Sequence, residues 1–180
     1  MKKRFYSYTP KLPYTQSMSD LHLRRKLTLR AHGEQIVFVK KQRERIEHVL
    51  MKAFLWALYL PDYPDLTVEI RIGDRYKPDV VGLDARGRPA FWGEAGKVSP
   101  TKIESLTRRY RSTHFALAKW STDLTPFIEI VQDATADLDR SAPFDLLTFP
   151  RDSAERFIDG RGHIHLTHDD LTWIRLPASV

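Results

Sequence analysis

Between residues 66 and 95, three short strand-like runs separated by tight turns lie between two helical patterns, and this order leaves few folds open. Leu66, Val68, Ile70 and Ile72 alternate with Thr67, Glu69 and Arg71, the period-two pattern of a half-buried strand. Gly73-Asp74 punctuates it. A second run spans residues 76–83, and after a turn at 84–89 a third spans 90–95. Upstream, Ile46, Val49, Leu50, Ala53, Phe54, Ala57 and Leu58 recur at helical spacing. They predict the longest helix over 40–60, ended by Pro61-Asp62-Tyr63-Pro64. Downstream, Ser99 and Pro100 read as an N-cap and first-turn pair. The helix they open carries Ile103, Leu106 and Tyr110 on its apolar face, and an apolar strand follows at 114–118. Strand, helix, strand at this point predicts a parallel crossover between 90–95 and 114–118, right-handed by the general rule.

The flanks extend this core. The segment up to Ser19, with its aromatic and proline residues, reads as a strand and loop, and 21–31 reads as a strand with a basic face. Helices are predicted at 124–137 and 153–158, a strand at 144–149, and a terminal hairpin from 164–166 and 171–176 around Asp169-Asp170. The class is α+β, with the sheet backed by helices. At 180 residues, 42% of them hydrophobic, one domain over 1–180 is expected, its core at about 40–120.

Composition narrows the chemistry. With no cysteine, disulfides, cysteine-based zinc sites and a cysteine nucleophile are excluded. No stretch reaches the ~20 apolar residues of a membrane span, so a cytoplasmic protein without membrane partners is expected. A net charge of +6 favours polyanions such as DNA or RNA.

The informative segment is Lys77-Pro78-Asp79 followed by Trp92-Gly93-Glu94-Ala95-Gly96-Lys97. Two strands joined by a tight turn place Asp79 near the start of one and Glu94 near the end of the other, side by side in an antiparallel pair. Two carboxylates held close repel, and a shared cation or a raised pKa relieves them. Magnesium takes hard oxygen ligands and often uses one or two protein carboxylates. His163, His165 and His168 offer no comparable pattern, and Gly-Glu-Ala-Gly-Lys lacks the spacing of a phosphate-binding Walker loop.

The acidic spacing is that of the PD-(D/E)xK nuclease superfamily, and the helix, meander, helix, strand order is similar to its core. More locally the segment resembles the YaeQ family. Pro78-Asp79, Gly87, Trp92, Glu94 and Gly96 fit that family's pattern of Pro-Asp, a turn Gly and Trp-x-Glu-x-Gly without a gap. The Leu27-Thr28-Leu29 strand, Glu47 ahead of an apolar Leu/Phe/Trp helix, and a terminal Trp-containing strand are also similar. The likeness runs from about residue 25 and is dense over 76–103.

The resemblance implies a restriction-endonuclease-like core with extra N- and C-terminal strands. It implies Mg²⁺- or Mn²⁺-dependent phosphodiester hydrolysis, with Asp79 and Glu94 holding the metal and Glu47 completing the acidic cluster; Glu44 is the fallback. The superfamily's lysine position, two residues past the glutamate, is Gly96 here. Lys97 and Lys102 are the two alternatives for its role, and Arg108, Arg109 and Arg111 are candidates to hold the phosphate backbone. Val98 replaces the YaeQ proline. These departures keep open a second reading, a nuclease-fold protein that binds nucleic acid or regulates without cleaving.

Overall fold

The computed structural model describes residues 25–178. The aromatic segment up to Ser19 and the first part of the 21–31 run lie outside the described residues. Strands β1 (Lys26–Ala31) and β2 (Glu34–Val39) form an antiparallel hairpin. Helix α1 (Ile46–Tyr59) follows. A six-stranded sheet is then built from β3 (Thr67–Val68), β4 (Val80–Leu83), β5 (Pro89–Ala95), β6 (His114–Trp120), β7 (Phe144–Phe149) and β8 (Thr172–Leu176), in that spatial order. Helix α2 (Pro100–Arg109) links β5 to β6, and α3 (Thr125–Thr135) links β6 to β7. A short helix, α4 (Ser153–Phe157), precedes β8.

The expected meander is present: β3, β4 and β5 pair antiparallel. The expected crossover is present too, with β5 and β6 parallel and β6 and β7 parallel again. Alternation along the central strands divides the core. Phe91 and Ala95 face α1 with Ala116, Ala118, Leu147 and Phe149, whereas Trp92, Phe115, Leu117 and Leu146 face Ile103 and Leu106 of α2 and Val131 of α3. The sheet is therefore covered on one face by α1 and on the other by α2 and α3. From Val49 to Tyr59 every residue of α1 is buried, and each large apolar side chain there contributes roughly 1.5–3 kcal/mol. Among the described residues no helix is long and apolar enough to cross a membrane.

Four expectations are corrected. The helix predicted over 40–60 begins at Ile46, because Arg45 is extended and the Glu44 carboxylate accepts the Lys41 N–H at 3.0 Å in a separate polar turn. The strand predicted over 66–72 stops at Val68, where Glu69 takes a left-handed backbone (φ 53°). The second run joins the ladder only at Val80; residues before it are looped, with the Tyr76 N–H on the Asp74 carboxylate. The terminal hairpin does not form. Residues 163 and 164 make single bridges to Arg30 and Ile158, and β8 pairs antiparallel with β7 instead.

Candidate active site at the strand ends

Val80 pairs with Gly93, so one step further Asp79 and Glu94 are opposite each other at the end of the β4–β5 ladder. The Asp79 N–H donates to the Gly93 carbonyl at 3.2 Å, and its Oδ2 accepts the Ala95 N–H at 2.8 Å. Beyond Ala95, Gly96 takes φ +77° and turns the chain out of the strand, a conformation that side chains other than glycine rarely adopt. Lys97 therefore leaves the sheet and is exposed.

Glu94 turns with Trp92 toward α2. Its Oε1 accepts the indole N–H of Trp92 at 2.7 Å and lies 2.6 Å from the Lys102 ammonium. Ser99 caps α2, its hydroxyl accepting the Lys102 N–H at 3.2 Å, and thereby fixes the first turn that carries this lysine. Burial lifts the Glu94 pKa above the ordinary carboxylate value. Lys102 and Trp92 oppose that rise, the Asp79 charge adds to it, and the net direction is upward.

Asp79 faces the other layer. His48 of α1 brings Nε2 within 3.6 Å of Asp79 Oδ2. Burial pushes the Asp79 pKa up, but the close approach of His48 and the hydrogen bond from the Ala95 N–H outweigh it and hold it low. The same contact raises His48 above its usual value, with the bond to Asp79 as the largest cause.

From Asp79 a polar chain runs along α1. His48 Nδ1 is 2.8 Å from Glu44 Oε1, and the same oxygen is 2.5 Å from the Lys52 ammonium. Lys52, only 1% exposed, also pairs with Glu69, and Lys41 reaches Glu69 at 3.2 Å. Burial raises the Glu44 carboxyl, but Lys52, the Lys41 N–H and His48 overcome it and bring it to about 2. The pull of Lys52 on Glu69 accompanies the left-handed backbone that ends β3.

The remaining predicted residues divide. Lys102 joins Glu94; Lys97 does not. Glu47 lies in the first turn of α1, where the Arg45 guanidinium reaches its Oε1 at 3.2 Å, and beside His48 it lines a cleft of about 550 Å³. Arg108 and Arg109 occupy the last turn of α2, about 10 Å along the axis from Lys102. Arg109 is bound to Asp74, Arg108 pairs with Glu104 at 3.1 Å, and Arg111 follows in an exposed turn. The three arginines thus stand at the end of α2 that leads away from the acidic pair.

Three residues of this region were not singled out from sequence. His48 and Lys52 follow Glu44 at intervals of four, a spacing that puts them in line along a helix face. Lys119 of β6 donates to the Gly96 carbonyl at 2.5 Å and lies 3.8 Å above the Phe127 ring. Burial lowers its pKa to about 8.

The architecture has known counterparts. The crystal structure of YaeQ protein from Pseudomonas syringae superposes with a TM-score of 0.59 at 16% identity, over 86% of this chain and 95% of that one. The chain has the fold of the YaeQ proteins. The YaeQ structure from Xanthomonas axonopodis pv. citri agrees, with a TM-score of 0.56 at 15% identity over 86% of this chain and 98% of its own. No protein-family model matches the sequence, and no curated protein matches it.

The acidic pair raises the question of a divalent metal. Among the described residues no three His, Cys, Asp or Glu side chains converge as a ligand set, and Glu47 does not complete one. Two hard carboxylates at adjacent strand ends nevertheless meet the low end of what magnesium requires, an ion that keeps several waters and takes one or two carboxylates. Asp79 and Glu94 would hold it, with Lys102 yielding its place on Glu94.

Proposed function

We propose that this protein is a nuclease-like phosphodiester hydrolase of the PD-(D/E)xK type, with its site at the Asp79–Glu94 strand ends. The observation that carries the reading is the acidic pair itself, Glu94 buried and Asp79 half-buried. Two carboxylates occupy facing positions at the end of one ladder, the Asp79 charge adding to the cost of ionising Glu94, with a lysine 2.6 Å from Glu94. A bound Mg²⁺ or Mn²⁺ would supply Lewis acidity and an activated water at neutral pH. The chain's own groups divide the remaining work. Asp79 is held ionised by the Ala95 N–H and His48. Glu94 is kept within reach of Lys102, which is placed to neutralise charge at a phosphoryl oxygen. DNA or RNA is the proposed substrate, in keeping with the +6 charge.

A second reading has its own observation. The two carboxylates address opposite layers, Glu94 toward α2 and Asp79 toward α1, and each already has cationic or N–H partners. A protein that retains the fold and binds nucleic acid without cutting it would look the same. Calorimetric titration with Mg²⁺ and Mn²⁺ separates the two. The hydrolase reading expects saturable heat that Glu94→Ala abolishes. Absence of heat with both ions, together with unchanged behaviour of Glu94→Ala, overturns it in favour of the binding reading.

A further inference from the structure

The cleft on the α1 side of the site has a composition that the acidic pair does not explain. Its walls are the turn before α1, with Arg43 and Arg45, and the turn after β5, with Gly96 and Lys97; Trp120 closes one side. Arg43, Arg45 and Lys97 are exposed. Among the described residues Arg43 and Lys97 have no carboxylate partner, and Arg45 reaches only Glu47. Of the two acids that line it, Glu44 is matched by Lys52 and His48, and Glu47 by Arg45. The rim therefore presents two cationic groups, Arg43 and Lys97, that the protein does not itself neutralise.

Trp120 gives the cleft its second character. It ends β6, is half-buried, and stacks on Phe54 of α1 with the rings 6.4 Å apart and 10° from parallel. One face is fixed by the core while the side chain still lines the cleft. A held aromatic beside exposed cations, two of them without a carboxylate partner, is the arrangement that receives an unstacked base and its phosphates. A volume of about 550 Å³ lies within the range of sites for molecules of nucleotide size. In a duplex the base faces are covered by their neighbours, and side chains of this kind reach bases only where they are splayed out.

We propose that this cleft binds a single-stranded segment of nucleic acid, a base against Trp120 and the flanking phosphates against Arg43, Arg45 and Lys97. The inference rests on the nucleic-acid part of the function proposed above and not on hydrolysis. It leads a strand past Gly96 to the strand ends that carry Asp79 and Glu94, and it moves the phosphate contacts away from Arg108, Arg109 and Arg111.

The test is tryptophan emission and anisotropy of the full chain in EDTA, titrated with oligo-dT, with oligo-rU and with a blunt DNA duplex. Both single strands quench emission and bind more tightly than the duplex. Trp120→Phe, which retains an aromatic ring on Phe54, loses most of the quench. Arg45→Ala and Lys97→Ala, both at exposed positions, each weaken binding and reduce the slope of log affinity against log salt by about 0.7. Duplex binding as tight as single-strand binding, a full quench in Trp120→Phe, or an unchanged salt slope in both cation variants overturns the proposal. The dT and rU arms distinguish DNA from RNA as the source of the strand. Tight single-strand binding without cleavage in either metal sinks the hydrolase alone; cleavage indifferent to the cleft variants sinks the cleft alone.

Discussion

Glu94 is pulled two ways, and the balance can be read in its titration. Burial and the Asp79 charge raise its pKa, while Lys102 and Trp92 restrain the rise. Replacing Lys102 by methionine removes the restraint and keeps the bulk. The Glu94 carboxyl of Lys102→Met should then titrate higher than that of the wild type, which carbon NMR of the carboxyl resonances reads directly. His48 gives a second titration. Its pKa is raised in the folded state, so the stability it contributes is complete below the ordinary histidine value of 6.5 and is lost as pH rises through the raised value. The stability difference between wild type and His48→Ala should therefore be larger at pH 5.5 than at pH 9 in urea unfolding. Asp79, Glu94 and Lys102 could all be named from sequence, because the Pro-Asp turn and the N-cap at Ser99 fix their positions locally. His48 and Lys119 could not. Their places depend on how α1 crosses the strand ends and on β6 lying parallel to β5, and both are tertiary facts.

At the level of elements, the strands that were hardest to read are those whose pattern is governed by a distant partner. β2 carries apolar residues on both faces, which hides its alternation: Ile36 and Phe38 pack against the core, whereas Val37 and Val39 are exposed at 48% and 57%. β3 is short because Glu69 leaves the strand to meet Lys52. The residues taken for one arm of a hairpin, 164–166, instead brace β1: the Arg30 N–H donates to the Gly162 carbonyl at 2.8 Å, and the Ile164 N–H to the Arg30 carbonyl at 2.7 Å. Gly162 has φ +81°, and a methyl group there would lie 2.6 Å from the Thr28 carbonyl oxygen. Gly162→Ala should lower stability by at least about 1 kcal/mol, measured by chemical denaturation, from backbone strain plus that clash. By contrast α2, with Ser99 and Pro100 at its start, and β7, with Phe144, Leu146, Leu147 and Phe149 in a six-residue segment, carry their signals within the segment.

The whole molecule separates a structural end from the end proposed to be functional. At the His114 end of the sheet, Asp145 is fully buried and accepts bonds from Tyr59 at 2.6 Å, His114 at 2.7 Å and Arg175 at 2.8 Å. These bonds outweigh burial and hold its pKa low. They tie α1, β6, β7 and β8 together. Asp145→Ala should cost roughly 3 kcal/mol in urea unfolding, because it leaves the buried Tyr59 hydroxyl and the His114 ring without their hydrogen-bond partner. At the opposite end the polar groups are gathered at the strand ends beside an open cleft, where ligands of open sheets with parallel strands commonly bind. The account depends on that end being chemically competent. Its most direct test is cleavage of single-stranded and duplex DNA and RNA in Mg²⁺ and in Mn²⁺ by wild type, Asp79→Asn and Glu94→Gln. Metal-dependent cleavage by the wild type that falls by about a hundredfold or more in both variants is the result expected. Cleavage that persists in the variants, or none by the wild type with either metal, would contradict it.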